Sequence, residues 1–368
     1  MILDREKSGL GVGFDTYEEL LVPDPVSQQI YLATPARIAL SLLKRHPPER
    51  RARATIERAC AYLAARPASA APLFLWVHLY DPHVPYRPPS MFRDQADPAY
   101  RGAFEVNKET VVALREGKLS LSERDLEHGR RMYQAEVAYA DSCLGQLVLA
   151  VKKMPGSWIT VATADHGESL GEHKYTFFHG ENLHGPSMHV PLMIAGPGIP
   201  KGLHVPWLVR LVDVMPTLLD LAAVPVPDGL DGQSLAPALA GKGTPALASY
   251  GEDGDQLYFV VSPGNRLEHK DVGLRTESHS YVLRPSSGAE ELYDLRSDPG
   301  ETRNVAAEPD QAEAKARLKD ELAKITDLGS YGGAPPLDDD EARKALEQLG
   351  YVSPGAPRTS PPATPKGH

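Results

Sequence analysis

The spacing of apolar residues divides this chain into segments of different kinds. Residues 49–65 place Ile56, Cys60 and Leu63 at helical intervals in an Ala-rich stretch, which predicts an amphipathic helix. Leu73-Phe-Leu-Trp-Val-His-Leu79 is a short apolar run that predicts a buried strand. The proline-rich segment Asp81–Pro89 ends it, because proline continues neither helix nor sheet. A long helix is predicted from Ser122 to Lys153, with Ser122 and Asp125 as a capping pair. Its expected buried face is Tyr133, Val137, Ala140, Leu144, Leu147 and Val151, and Pro155-Gly156 stops it. Trp158–Ala164 and His189–Ala195 read as two more strands, and Val214–Ala222 as a helix capped by Asp213.

Strand, long helix and strand form a βαβ unit, which requires parallel strands and a right-handed crossover. The expected fold class is therefore α/β, a mostly parallel sheet sandwiched by helices. Beyond about residue 245 the pattern changes to short strands, Val272–Leu283 and Glu290–Leu295, with polar helices at about 310–326 and 338–349. This predicts an α/β core over 1–245, a small antiparallel subdomain over 246–350, and a disordered proline-rich tail over 351–368.

Composition narrows the function classes. The formal charge of −10 argues against a nucleic-acid binder or a protein that coats anionic membranes. No apolar stretch is long enough to predict a membrane span, and the first twenty or so residues lack the apolar run of a signal peptide. Two cysteines, Cys60 and Cys143, provide neither a disulfide framework nor a cysteine zinc cluster. The 13 histidines are the unusual feature, because several cluster near predicted strand ends.

Ligands of open parallel sheets bind beyond the C-terminal ends of the strands. Two such ends here run into polar clusters, Asp81-Pro-His83 and Asp165-His-Gly-Glu168. Glu172, His173, Lys174, His179, His184 and His189 follow the second. A carboxylate beside an imidazole suits a divalent metal, although Asp165 and His166 supply too few donors alone. Gly167 is expected to permit the bend that brings both into one site. Taken singly, His83 also reads as a surface or turn histidine, and Asp165-His166-Gly167 as an Asx turn. If the two strands are neighbours, Asp165, His166, His83 and His179 should converge within about 10 Å.

Several separated motifs together resemble the sulfatase family of the alkaline phosphatase superfamily. They are Asp165-His-Gly-Glu-Ser-Leu-Gly-Glu-His173, Phe177-Phe-His-Gly180 and Val190-Pro-Leu-Met-Ile194. Phe74 to Tyr86, Asp213 to Ala222, Asp231 to Leu235 and Leu292 to Glu301 extend the likeness to roughly residues 8–306. The resemblance implies that Asp165 and His166 are metal ligands, the metal usually being calcium. It implies that His83 lies near the sulfate ester oxygen and that His179 neutralises the sulfate and assists the leaving group. The substrate class it implies is a sulfated small molecule or carbohydrate. The family's nucleophile is a formylglycine made from Cys or Ser in a C-x-P-x-R motif.

This chain departs from that pattern. It contains no C-x-P-x-R motif and no counterpart of the family's paired N-terminal aspartates. Ala33-Thr-Pro-Ala-Arg37 has the motif's shape with alanine at the nucleophile position, and it follows Gly13-Phe-Asp-Thr-Tyr17 where the family's motif precedes the matching segment. His184-Gly185 stands where the family commonly has Tyr-Glu. The chain thus resembles the C-terminal two-thirds of a sulfatase, and a truncated or inactive form is expected. Two rival readings are a phosphodiester or phosphonate monoester hydrolase of the same superfamily, and a non-catalytic domain that binds sulfated ligands.

Overall fold

The computed structural model describes residues 16, 50–67, 71–180, 182–241, 258–261, 271–284 and 287–327. The proposed tail, the helix expected at 338–349 and Ala33–Arg37 lie outside the described residues. The chain forms two compact units, an N-terminal one over Ile2–Gly156 and a C-terminal one over Ser157–His368.

The described part of the N-terminal unit is helical. Helix α1 spans Ala52–Ala65, α2 Ser90–Ala96, α3 Lys108–Arg115 and α4 Glu123–Val151. Ser122 caps α4 as expected, accepting a hydrogen bond from the Asp125 amide at 3.1 Å. The two short helices lie between Pro89 and Ser122, a stretch given no element from the apolar pattern, and a reciprocal cap between Asn107 and Thr110 starts α3. Both α1 and α2 pack on α4.

The buried stripe of α4 is Met132, Ala135, Glu136, Tyr139, Cys143 and Leu147. Leu147 is buried as predicted, but from Met132 to Cys143 the stripe lies one residue earlier than the apolar spacing predicts, and Val137 is exposed. The cause is polar. The Tyr139 hydroxyl accepts from the Arg53 amide at 3.1 Å, and Glu136 accepts from the Arg87 amide at 2.6 Å. These bonds turn that face inward. Leu73–Leu79 also differs from expectation. It joins no ladder among the described residues, and its side chains alternate between half-buried and exposed, with Trp76 70% exposed.

In the C-terminal unit, β1 (Thr160–Thr163) pairs with β4 (Leu192–Ala195), with Thr163 opposite Leu192. This ladder is antiparallel, as is every ladder among the described residues; the parallel crossover expected from the βαβ reading is not among them. Between these strands, β2 (Ser169–Leu170) and β3 (Thr176–Phe178) form a small irregular hairpin, and α5 spans Gly185–Met188. Helices α6 (Val214–Leu221) and α7 (Ala236–Leu239) follow, and Leu235 and Leu239 pack on Leu192, Ile194 and Leu221. Asp213 does not cap α6 with its side chain. It is buried and accepts from the amides of Arg210 and Gln233 and from the Arg210 guanidinium.

The antiparallel C-terminal layer is present as a sheet in the order β5 (Tyr258–Val261), β6 (Val272–Arg275), β7 (His279–Arg284) and β8 (Ala289–Asp294). The predicted single strand Val272–Leu283 is broken at Thr276–Ser278. There the Thr276 hydroxyl oxygen accepts from the amides of Ser278 and His279, closing a turn. Helix α8 (Ala312–Asp327) covers this sheet through Leu318 and Leu322 against Leu274, Tyr281 and Leu292.

Candidate active site

Asp165 and His166 leave the end of β1 in a loop. The His166 amide donates to Asp165 Oδ1 at 3.1 Å, a bond to the next residue and not the two-residue bond of an Asx turn. His166 Nδ1 lies 2.9 Å from the Gly167 carbonyl oxygen. A carbonyl only accepts, so Nδ1 carries the proton and Nε2 presents a lone pair in the neutral ring. That Nε2 is 3.8 Å from Asp165 Oδ2, and the Asp165 side chain is 68% exposed. Two metal-type donors therefore face one region. Among the described residues no group of three or more His, Cys, Asp or Glu side chains converges as a shell, so any ion here would need further donors.

Gly167 serves a different purpose from the expected bend. A Cβ there would lie 2.1 Å from the Pro186 carbonyl oxygen, and the Gly167 amide donates to the Ser187 carbonyl at 2.8 Å. Only glycine lets the loop after β1 touch the segment that enters β4. Behind it, the Ser169 and Ser187 hydroxyls are 3.1 Å apart, and Asn182 Nδ2 donates to Ser169 Oγ at 3.2 Å.

The His179 ring stacks on His166, with centroids 4.0 Å apart. Its side chain is only 4% exposed, and Nδ1 sits 3.4 Å from both oxygens of the buried Glu168 carboxylate. Sequence reading includes Glu168 in the motif but gives it no role. Here it orients His179 so that Nδ1 faces a carboxylate and Nε2 is the other reactive end.

The turn from Glu172 to Phe178 is strained. His173, Lys174 and Phe177 all have left-handed φ values, 52°, 68° and 56°. This geometry lays the His173 ring flat on His184, centroids 3.8 Å apart and 2° from parallel. Burial lowers the His173 pKa first, and the neighbouring His184 adds to it. His184 Nε2 lies 3.2 Å from Glu291 Oε2 on β8. Glu291 also accepts from the Tyr293 hydroxyl at 2.9 Å and from Arg284 Nη2 at 2.9 Å. These bonds, that to His184 foremost, hold its carboxyl down at about 2. Nearby, Glu301 is buried, pairs with Arg275 at 2.8 Å and accepts from the Gly185 amide at 2.5 Å. His184-Gly185 thus serves as the anchor between the histidine-rich loop and the C-terminal sheet.

His83 belongs to the N-terminal unit, and its surroundings are described on their own. Its amide donates to the Tyr80 carbonyl at 2.9 Å, and its ring packs on Tyr80. His83 Nδ1 donates to the Val84 carbonyl at 2.7 Å, the same tautomer-fixing contact to the following residue that His166 makes. Asp165, His166 and His179 are brought together in the C-terminal unit.

A sequence model of the sulfatase family matches residues 12–224, more than half of the chain. A second, N-sulphoglucosamine sulphohydrolase, C-terminal, matches residues 171–327. Arylsulfatase K of Rattus norvegicus is 35% identical over 200 residues, covering 51% of this chain and 33% of that protein. Choline-sulfatase of Rhizobium meliloti (strain 1021) is 33% identical over 229 residues, covering 58% and 41%. The chain thus spans about a third of the length of the arylsulfatase K proteins it matches.

Among solved structures, the phosphonate monoester hydrolase of Agrobacterium radiobacter aligns with a TM-score of 0.60 at 25% identity, over 74% of this chain and 60% of that one. A protein solved in complex with its substrate D-glucosamine-2-N,6-O-disulfate aligns with a TM-score of 0.58 at 20% identity, over 80% and 72%. These structures share the alkaline phosphatase-like α/β fold expected from the sequence. The motifs around Asp165, the fold and the extent of the family match lead to one conclusion: this chain belongs to the sulfatase family.

Proposed function

We propose that this chain carries the metal-binding and leaving-group side of a metal-dependent sulfate ester hydrolase. Asp165 and His166 are two of the metal ligands, and His179 and His83 address the sulfate ester. The observation that carries this reading is the His166 ring. Its Nδ1–H is committed to the Gly167 carbonyl, which leaves the Nε2 lone pair on the side of the Asp165 carboxylate. A divalent cation, calcium by family resemblance, would offset negative charge on the sulfate oxygens when bound.

The other roles belong to protein groups. Glu168 holds His179 with Nδ1 toward itself, so in the doubly protonated, charged ring Nε2–H is the end that offsets sulfate charge and gives its proton to the leaving oxygen, which leaves the neutral ring with Nδ1–H toward Glu168. His83 has Nδ1 committed to the Val84 carbonyl, so it addresses the ester through Nε2, which carries a proton only in the doubly protonated ring. A formylglycine does not fit the residues described. Cys60 lies half-buried on α1 and Cys143 buried on α4, neither within C-x-P-x-R, so no step is assigned to one. The substrate class is a sulfated small molecule or carbohydrate, supported by relatives named for choline sulfate and a disulfated glucosamine.

Calorimetric titration of the metal-free chain with Ca²⁺ tests the ligand assignment. Binding should disappear in Asp165→Ala and persist in His179→Ala, since only the first removes a metal donor. Unchanged stoichiometry in Asp165→Ala would remove Asp165 from the shell. Residues 1–368 alone should hydrolyse an aryl sulfate no faster than buffer; metal-dependent turnover would show that another residue supplies the nucleophile. The likeness to a phosphonate monoester hydrolase favours one second reading, which turnover of a phenyl phosphonate in preference to an aryl sulfate would support.

A further inference from the structure

Glu136 is a carboxylate on the buried face of α4, and its side chain is 1% exposed. Its Oε1 accepts from the Arg87 amide at 2.6 Å and lies 3.5 Å from Arg51 Nη1. The same Arg51 nitrogen is 3.5 Å from Asp81 Oδ1, and Arg51 Nη2 donates to the Arg87 carbonyl at 2.5 Å. Asp81 Oδ2 in turn accepts from the Ala52 amide at 2.8 Å, where α1 begins. Glu136 Oε2 is buried without a hydrogen-bond partner among the described residues.

This arrangement is a poor way to stabilise a helix face. One guanidinium serves two carboxylates, and a buried carboxylate with a bare oxygen costs more than an apolar side chain of its size. What the arrangement does provide is geometry. Asp81 and Arg87 are the two ends of the loop that carries His83; both ends bind Arg51, and Arg87 also binds Glu136.

We infer that Glu136 is a positioning residue for the His83 loop, holding Arg87 directly and Asp81 through Arg51 so that the His83 ring is presented in one orientation. The catalytic importance of this clamp rests on the reading of His83 given above; the clamp itself does not. Burial raises the Glu136 carboxyl to about 7, with Arg51 opposing the shift and Asp81 reinforcing it. Among the described residues, Arg51 and Asp81 are the charged groups that act on it. A clamp that ionises near neutrality leaves a signature that inert packing lacks.

Nuclear magnetic resonance of the full chain, with labelled histidine and backbone nitrogen, tests this. The Arg87 amide shift should titrate with a midpoint near pH 7 (about 7 from burial of Glu136) and lose that transition in Glu136→Gln. In Glu136→Ala the Arg87 amide should exchange about tenfold faster or more. The Tyr86 amide, bonded to the Val106 carbonyl, should be unaffected. The His83 ring resonances, identified by their absence in His83→Gln, should shift in both Glu136 variants. A flat Arg87 titration, or His83 resonances unmoved in Glu136→Gln, would overturn the inference; Glu136→Gln keeps the test decisive if the alanine variant does not fold. Added inorganic sulfate separates the two ideas. A His83 ring indifferent to sulfate counts against its substrate role, while the Arg87 measurements still judge Glu136.

Discussion

Glu136 in the N-terminal unit and Glu291 in the C-terminal unit are both withdrawn from solvent and both hold a histidine-bearing segment, yet their acidities move in opposite directions. Glu291 is held down at about 2, because His184, Arg284 and Tyr293 all donate to it. Glu136 is pushed up to about 7, because burial outweighs a half-share in Arg51 and one backbone amide. Burial alone therefore does not decide how a carboxylate behaves; the number of donors aimed at its charged form does. One unit fixes its loop with a satisfied anion. The other fixes its loop with an anion that neutral pH can discharge.

The largest effect should come from breaking the satisfied member. Glu291→Ala strands the donors of His184 and Tyr293 and removes one of the two carboxylates that Arg284 pairs with. Urea unfolding at pH 7 should show a loss of about 3 kcal/mol. Because its folded pKa is depressed, wild-type support from Glu291 is full above about 4.5 and fades toward about 2. The deficit of the variant should therefore shrink over that same acid range.

Glu136→Gln should give the mirror image at smaller size. A carboxyl whose folded pKa is raised contributes most below its unfolded value, and that contribution is lost as pH climbs from about 4.5 through about 7. The glutamine variant escapes this loss. It should match wild type near pH 5 and exceed it by about 2 kcal/mol at pH 8, read as a rise in melting temperature. Equal pH profiles for the two proteins would show that Glu136 is not ionising in the folded state.

Lys174→Gly sharpens the contrast by touching neither carboxylate. Lys174 sits at φ 68° in the strained turn beside His173, a conformation glycine adopts without steric cost. Relief of that strain outweighs the added freedom of the unfolded chain only slightly, so a gain of about 0.5 kcal/mol is expected, independent of pH.

Much of this was legible in the sequence, and the gaps have physical causes. The cap of α4 and the antiparallel layer at the C terminus follow from local chemistry, which one stretch of chain contains. The buried face of α4 before Leu147 differs by one residue because apolar spacing assigns Glu136 and Tyr139 to solvent, whereas their polar partners draw them inward. The turn at Thr276–Ser278 was hidden in a strand-like pattern because serine and threonine hydroxyls, not glycine or proline, close it. Asp165, His166 and His179 stand out as a cluster because they follow one strand within fifteen residues of chain. Glu291, Glu301 and Arg51 do not, since each reaches its partner across a long separation that no local pattern reports.

The β1–β4 ladder also bears on the order of folding. Thr163 and Leu192 are paired, so everything between them departs from and returns to one ladder. Within that excursion the Gly167–Ser187 bond closes a second ring, and the Ser169–Phe178 pairing a third. Asp165, His166 and His179 thus lie in nested closures of short chain segments, for which the entropy of closure is small. Such contacts form early, whereas those between residues far apart in sequence form late. The ring closures around His166 need only their own stretch of chain, whereas the anchor of His184 and Gly185 waits for Glu291 and Glu301. The His83 loop must wait for α1 and α4 to meet, because its clamp joins residues 51, 81 and 136.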